Sequence, residues 1–150
     1  PKRKVAGKRG GISAVSATTG AGQLIFRLHD KRIASEEVIE FLGQTLKRHS
    51  RRHLVVVMDQ APPHASKRTR AFIAGKARLH AFNLPKYFPD WNPDEKVWNH
   101  LKHQELKGHP ARTKMELQEL ANRKLTAMSA SRELMRGIFF RCCMAEVLAN

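Results

Sequence analysis

The spacing of apolar positions changes several times along the chain, and each change marks an element. Gly11 to Ala17 alternates small and branched side chains, and Gln23 to Leu28 follows after turn glycines at 20 and 22. Two such runs separated by glycines predict a β-hairpin. From Ser35 the period lengthens, with Val38, Phe41, Leu42 and Leu46 at helical spacing. Ser35 is the expected N-cap of a helix running to about His49. Its acids Glu36, Glu37 and Glu40 come early and its bases Lys47 and Arg48 late, the order that suits the helix dipole. Leu54-Val55-Val56-Val57-Met58 is an unbroken apolar run with a β-branched centre. Runs of that kind belong to strands buried on both faces, as in mostly parallel sheets. This one ends at Asp59.

A loop with Pro62 and Pro63 follows, then a basic helix expected over about Lys67 to Ala77. Leu79 to Leu84 reads as a short strand, and Pro85 to Asn92 as a loop rich in proline and aromatic residues. A helix is expected from Pro93 to about Leu106, stopped by Gly108 and Pro110. Thr113 with Glu116 has the spacing of a capping box for the next helix. The last helix, over residues 134–148, places Leu134, Ile138 and Cys142 on one face, which reads as core rather than dimer interface. Hairpin, helix, strand, helix, strand and further helices predict an α/β fold with a mixed sheet flanked by helices and a C-terminal helical segment. Ligands of such sheets sit beyond the carboxyl ends of strands, which is where Asp59 stands.

Charge sharpens this picture. The chain has 150 residues, 41% of them hydrophobic and 27% charged, which is enough for one globular domain with a core. Its formal net charge is +15. A surplus of that size favours a polyanionic partner, most often nucleic acid, over an uncommitted basic surface that would only repel itself. The two cysteines, Cys142 and Cys143, are adjacent, which implies no disulfide framework and fits a reducing cytoplasm. With His100 and His103 they invite a zinc reading, but the spacing of a tetrahedral site is absent. No apolar run approaches the ~20 residues of a membrane span, so no membrane partner is expected. Pro1-Lys2-Arg3-Lys4 opens a basic arm over residues 1–10, with no apolar segment after it to make a secretory signal.

Two acids stand out, each with a structural alternative. Asp59 is either a turn-former closing a strand or a ligand-bearing carboxylate at a strand end. With Asn92 as N-cap and Pro93 as the first helical residue, Glu95 is either the reciprocal half of a capping box or a carboxylate aimed into a cleft. The residues alone leave both pairs open. Their surroundings add more. His80 to Lys102 reads HAFNLPKYFPDWNPDEKVWNHLK, and Leu54 to Ser66 reads LVVVMDQAPPHAS. The first stretch resembles the signature of the bacterial insertion-sequence branch of the DDE transposases, related to the mariner elements. It has Leu84-Pro85, Tyr87, Pro89, Asn92-Pro93-Asp94-Glu95, Trp98 and Lys102. The second is similar to that family's strand-Asp-Asn-Ala-Pro-x-His-x-Ser segment. The two blocks occur in the family's order, and the resemblance covers nearly the whole chain.

The resemblance implies an RNase H-like fold and metal-dependent cleavage and rejoining of DNA ends. Three acids would hold two divalent cations, Mg²⁺ or Mn²⁺; by motif, Asp59 is the second acid and Glu95 the third. Mg²⁺ takes hard oxygen ligands and keeps several waters, so a few carboxylates suffice. Two ions roughly 3.5–4 Å apart can clamp the attacking and leaving oxygens of an in-line displacement. The family's first acid lies on a strand ahead of the hairpin that these residues do not match. The resemblance therefore implies an incomplete catalytic domain, divided as a basic arm (1–10), an RNase H-like part lacking its first strand (11–106) and C-terminal helices (113–150). That strand would lie between the hairpin and Leu54–Met58. Alone, such a chain is expected to cut DNA poorly, with Asp30, Asp90 and Asp94 the candidate substitute acids.

Departures from the family pattern are Gln60, where the family usually has Asn, and Lys86, Phe88, Trp91 and Asp94; none removes an acid. His64 matches a family position that either touches a phosphate or orients Asp59, and Gln60 and Asn92 are further accessory candidates. Between Gln60 and Pro89 there is no acid, while Lys67, Arg68, Arg70, Lys76, Arg78 and Lys86 are present. With Lys102 these form the expected DNA-binding surface, against the plainer reading of a solvated helix face. Trp91 and Trp98 read as core and cleft wall rather than base-stacking platforms. Expected partners are DNA, a second transposase copy or an upstream DNA-recognition domain, in the bacterial cytoplasm with the nucleoid. The rival reading from another class is a non-catalytic basic DNA-binding module, or a decayed transposase remnant. An RNase H-like nuclease of another kind fits less well with the Asn-Pro-x-Glu-x-x-Trp block.

Overall fold

Alternating and helical periods become a run of short elements in the computed structural model, which describes residues 11–86 and 88–143, and of Cys143 the backbone alone. The basic arm (1–10), Tyr87 and the part of the last apolar face beyond residue 143 lie outside the described residues. In chain order come β1 (Ser13–Thr18), β2 (Leu24–His29), α1 (Ser35–Arg48), β3 (Leu54–Met58), α2 (Pro62–Ala65), α3 (Lys67–Ala74) and β4 (Leu79–Asn83). A 3-10 turn (Pro89–Trp91), α4 (Pro93–His100), a π-helical stretch (Leu101–Glu105), α5 (Lys114–Ala130) and α6 (Arg132–Cys143) follow. The chain divides into two compact units, Arg32–Phe88 and a second formed by the residues on either side of it.

In the first unit β3 and β4 pair in parallel, from Leu54 opposite Leu79 to Met58 opposite Asn83. Val38, Leu42, Leu46 and Leu79 are its buried centre, with Ile33, Leu54, Val56, Phe72 and Ile73 packed around them. The expected burial of β3 on both faces is not what forms. Val55 is 64% exposed and Val57 58%, and Phe82 on β4 is 60% exposed. Side chains alternate across a strand, and the apolar residues of α1 and α3 cover one face only. The β-branched run thus reflects strand propensity rather than two-sided burial. The cap of α1 is also one residue earlier than expected: Ala34, not Ser35. Glu37, at the third helical position, accepts the Ala34 N–H at 2.8 Å, which satisfies the helix entry without a cap side chain. Ser35 instead donates its hydroxyl to Ser66 at 2.7 Å. The basic helix stops at Ala74 with Gly75 as its cap, and the Pro62-Pro63 loop contains the short turn α2, where proline fits the first helical positions.

In the second unit β1 and β2 form the expected antiparallel hairpin, Ser13 opposite His29 through Thr18 opposite Leu24. Gly22 closes it at φ 82°, and a Cβ there would lie 2.7 Å from the Arg132 carbonyl at the start of α6. Both the backbone conformation and the close approach demand glycine. The helix expected over 93–106 changes character at Leu101, and the Leu106 N–H reaches five residues back to the Leu101 carbonyl at 2.8 Å. Gly108, at φ 69°, ends the segment. The Thr113–Glu116 capping box on α5 forms in both directions. Ile12 and Leu24 of the hairpin region, Val97 and Leu101, Leu117 to Met128 of α5, and Met135 and Ile138 of α6 share one core. The class is mixed α/β, but the described strands form two two-stranded sheets, one antiparallel and one parallel, and not one mixed sheet. No described strand supplies the backbone donors and acceptors that would join the two pairs.

Candidate active site

Asp59 follows directly on β3. The parallel ladder runs on beside it, with the Leu84 N–H donating to the Met58 carbonyl at 2.7 Å, and Gln60 Nε2 donating to the Leu84 carbonyl at 3.0 Å. Gln60 thus ties the two strand ends together. The chain then turns back, and Asp59 Oδ1 accepts the Ala61 N–H at 3.1 Å, the local turn that aspartate favours. His64, one turn into α2, brings Nδ1 to the same oxygen at 2.6 Å. Both side chains are about a quarter exposed, His64 at 21% and Asp59 at 24%. Partial burial by itself pushes the Asp59 carboxyl up. The hydrogen bonds from His64 and Ala61 act against it and favour the charged carboxylate. His64 and the Ala61 N–H thus meet on one oxygen of Asp59.

Glu95 is built differently. Asn92 caps α4 by accepting the Asp94 N–H at 3.1 Å, and Pro93 follows as the first helical residue. The accessory candidate Asn92 is thus a helix cap. Glu95, in the first turn, is buried at 9% exposure, next to the fully buried Val97. Asp94 turns to β1, where Ser16 donates its hydroxyl to the carboxylate at 2.7 Å. The Trp98 indole N–H reaches Ser16 Oγ at 2.8 Å and Asp94 at 3.3 Å. Asp94 and Trp98 therefore fasten the first turn of α4 to the hairpin of the same unit. Asp90 pairs with Lys96 at 2.6 Å and holds that ammonium above its ordinary range. Asp30 gives its backbone carbonyl to Lys114. Sequence reading missed Ser16; the only local hint was the i, i+4 spacing of Asp94 and Trp98. Trp98 packs against the core, Trp91 is 37% exposed, and the Cys142 thiol donates to the Asp90 carbonyl at 2.6 Å.

The basic candidates separate by what they touch. Lys67, Arg68, Arg70, Lys76 and Lys86 are exposed on the first unit. Arg68 pairs with Glu36, and Lys76 lies over the Phe72 ring at 5.3 Å. Arg78 is committed to the backbone, donating to the His49 carbonyl at 2.9 Å and the Arg52 carbonyl at 2.7 Å, where it closes the C-terminus of α1. Lys102 is half-buried on the π-helical stretch of the second unit. Among the described residues no helix is long and apolar enough to cross a membrane, and no group of three or more His, Cys, Asp or Glu side chains could hold a metal ion. Asp59 by itself, a hard oxygen donor at a strand end, suits Mg²⁺ or Mn²⁺.

A comparison with curated proteins finds no match. Among solved structures, the chain is similar to the Mos1 transposase in a paired-end complex with the left transposon end, with a TM-score of 0.71 and 12% identity. The match covers 93% of this chain and 43% of that one, so the chain spans less than half of that relative. The crystal structure of the catalytic domain of Mos1 mariner transposase matches at a TM-score of 0.64 and 13% identity, over 89% of this chain and 72% of that one. At these identities the likeness is one of fold. Residues 1–118, which include both Asp59 and Glu95, match the model of the DDE superfamily endonucleases, and the chain belongs to that family.

Proposed function

We propose that this chain is part of a transposase catalytic domain that cuts and rejoins DNA strands, with Asp59 and Glu95 as two of its carboxylate ligands for divalent cations. One observation carries the reading: the family match takes in both acids, and the first of them stands at the end of a parallel strand with Ala61 and His64 bonded to one carboxylate oxygen. The same reading implies an RNase H-like fold. Two Mg²⁺ or Mn²⁺ ions in the complete site would activate the attacking oxygen and neutralise the leaving one. The protein's own part is to hold carboxylate oxygens still and to carry the DNA backbone on exposed cations. Lys67, Arg70, Lys76 and Lys86 stand on the surface of the unit that bears Asp59. Each phosphate neutralised contributes roughly −0.9 to the slope of log affinity against log salt on duplex DNA.

The test is nicking of supercoiled plasmid in Mg²⁺ or Mn²⁺, by this chain and by any longer protein that contains it. Cleavage should stop with EDTA and with either Asp59→Asn or Glu95→Gln. Cleavage that survives both substitutions sinks the assignment. DNA binding that weakens with Lys67→Ala, Arg70→Ala and Lys76→Ala together, with no cleavage in any form, leaves a non-catalytic DNA-binding module.

A further inference from the structure

The loop between β3 and α3 contains more hydrogen bonding than a connection of that length requires. Thr69, in the first turn of α3, is fully buried at 0% exposure, yet it is a polar residue. A buried hydroxyl persists only where it is satisfied, and this one is satisfied on both sides. Thr69 Oγ1 donates to the Pro63 carbonyl at 2.7 Å and accepts from Ser66 Oγ at 3.0 Å. Ser66 Oγ in turn accepts the Thr69 N–H at 3.1 Å, as the cap of α3, and the Ser35 hydroxyl at 2.7 Å. Protons therefore point one way along the chain Ser35, Ser66, Thr69 and the Pro63 carbonyl.

That last carbonyl belongs to the residue just before His64. Pro62 and Pro63 fix two backbone angles of α2, and the His64 N–H closes the turn on the Ala61 carbonyl at 2.9 Å. The loop is thus pinned at its far end by Thr69 and at its near end by Asp59 Oδ1, which takes both the Ala61 N–H and His64 Nδ1. A shift of Pro63 would carry His64 with it and release the Asp59 carboxylate plane.

We infer that His64 is a positioning residue for Asp59, and that Thr69, backed by Ser66 and Ser35, is the buried brace that sets His64. The inference rests on the reading of Asp59 as a cation ligand. Hydrogen-bonding partners of a ligand orient it, and their loss costs on the order of 10–100-fold in metal affinity. Thr69→Val keeps the shape and removes the hydroxyl, Thr69→Ser keeps the hydroxyl, and His64→Ala removes the contact itself.

The experiment is titration of the chain with Mn²⁺ alone, reading free Mn²⁺ by electron paramagnetic resonance, with circular dichroism as the control for folding. His64→Ala and Thr69→Val should each weaken Mn²⁺ binding about tenfold or more, and Thr69→Ser should restore it. DNA binding in EDTA should not change with any of the three. Wild-type Mn²⁺ affinity in folded His64→Ala and Thr69→Val, with binding lost in Asp59→Asn, overturns the brace and leaves Asp59 as the ligand. Unchanged binding in Asp59→Asn, or none in the wild type, overturns both. If Thr69→Val does not fold, His64→Ala and Thr69→Ser decide: the brace stands only if the first loses Mn²⁺ and the second keeps it.

Discussion

The unit Arg32–Phe88 is centred on four buried apolar side chains, Val38, Leu42, Leu46 and Leu79, and one face of its sheet carries the exposed Val55, Val57 and Phe82. The other unit gathers a core cluster of eleven buried apolar residues among those described, from the hairpin region, α4, the π-helical stretch and Leu106 after it, α5 and α6. Each carries one of the two acids proposed as cation ligands, Asp59 in the first and Glu95 in the second, over cores of different depth. Asp59 sits where packing is thin, so its posture comes from named hydrogen bonds, to Ala61 and His64, with the Thr69 hydroxyl behind them. Glu95 sits in the first turn of α4, which Asn92 and Pro93 start, Asp94 and Trp98 fasten to Ser16, and the buried Val97 and Leu101 anchor. Polar contacts add to packing in both units, with fewer buried side chains behind them in the first.

Three substitutions test that contrast, in falling order of effect. Leu125, fully buried in α5, lies in the dense core, and Leu125→Ala should cost about 2–5 kcal/mol in urea unfolding. A loss below ~1 kcal/mol would mean that this core can collapse around a cavity and is no firmer than its partner. Ser16→Ala removes the hydroxyl that Asp94 and Trp98 share, and about 1–2 kcal/mol should go with it, since one of those partners is charged. If stability is unchanged, the first turn of α4 is held by packing alone. Val57→Thr, on the exposed face of β3, should stay within about 0.5 kcal/mol of wild type by the same measurement. A larger loss would show that face to be covered in solution.

Much of this was legible in local pattern. The hairpin, the helix over Val38 to Leu46, the strand ending at Asp59 and the Thr113–Glu116 box each depend on neighbours within a few residues, and each formed. The family of the chain was legible too, from two short blocks around the acids. What stayed hidden depends on distant residues. The sidedness of β3 is decided by how many helices arrive to cover it, which an apolar run cannot report. Ser16 meets Asp94 across 78 positions, and Arg78 finds the His49 carbonyl across 29, so neither role has a signal in spacing. Arg78 reads as one more base in a charge run until its guanidinium is seen closing α1. Ser35 looked like a cap because serine usually is one; Glu37 made that unnecessary, and the serine hydroxyl turned to Ser66.

The π-helical stretch at Leu101–Glu105 has a consequence for how this chain tolerates length changes. A wide turn holds one residue more than an ordinary helical turn would over the same rise. Leu101 at its start and Leu106 just behind it are both buried in the same core, so the wide turn absorbs the extra residue and keeps both on the buried side. Deleting one position from 102 to 105 would leave an ordinary helical turn over the same rise, so the residues on either side would keep their phase around the axis. Leu106 would then still close its bond on the Leu101 carbonyl, now four residues back, and stay in the core. A single-codon deletion in this short window is thus far less damaging than one inside a regular helix such as α5, and alignments of related chains should show one-residue gaps gathering in it.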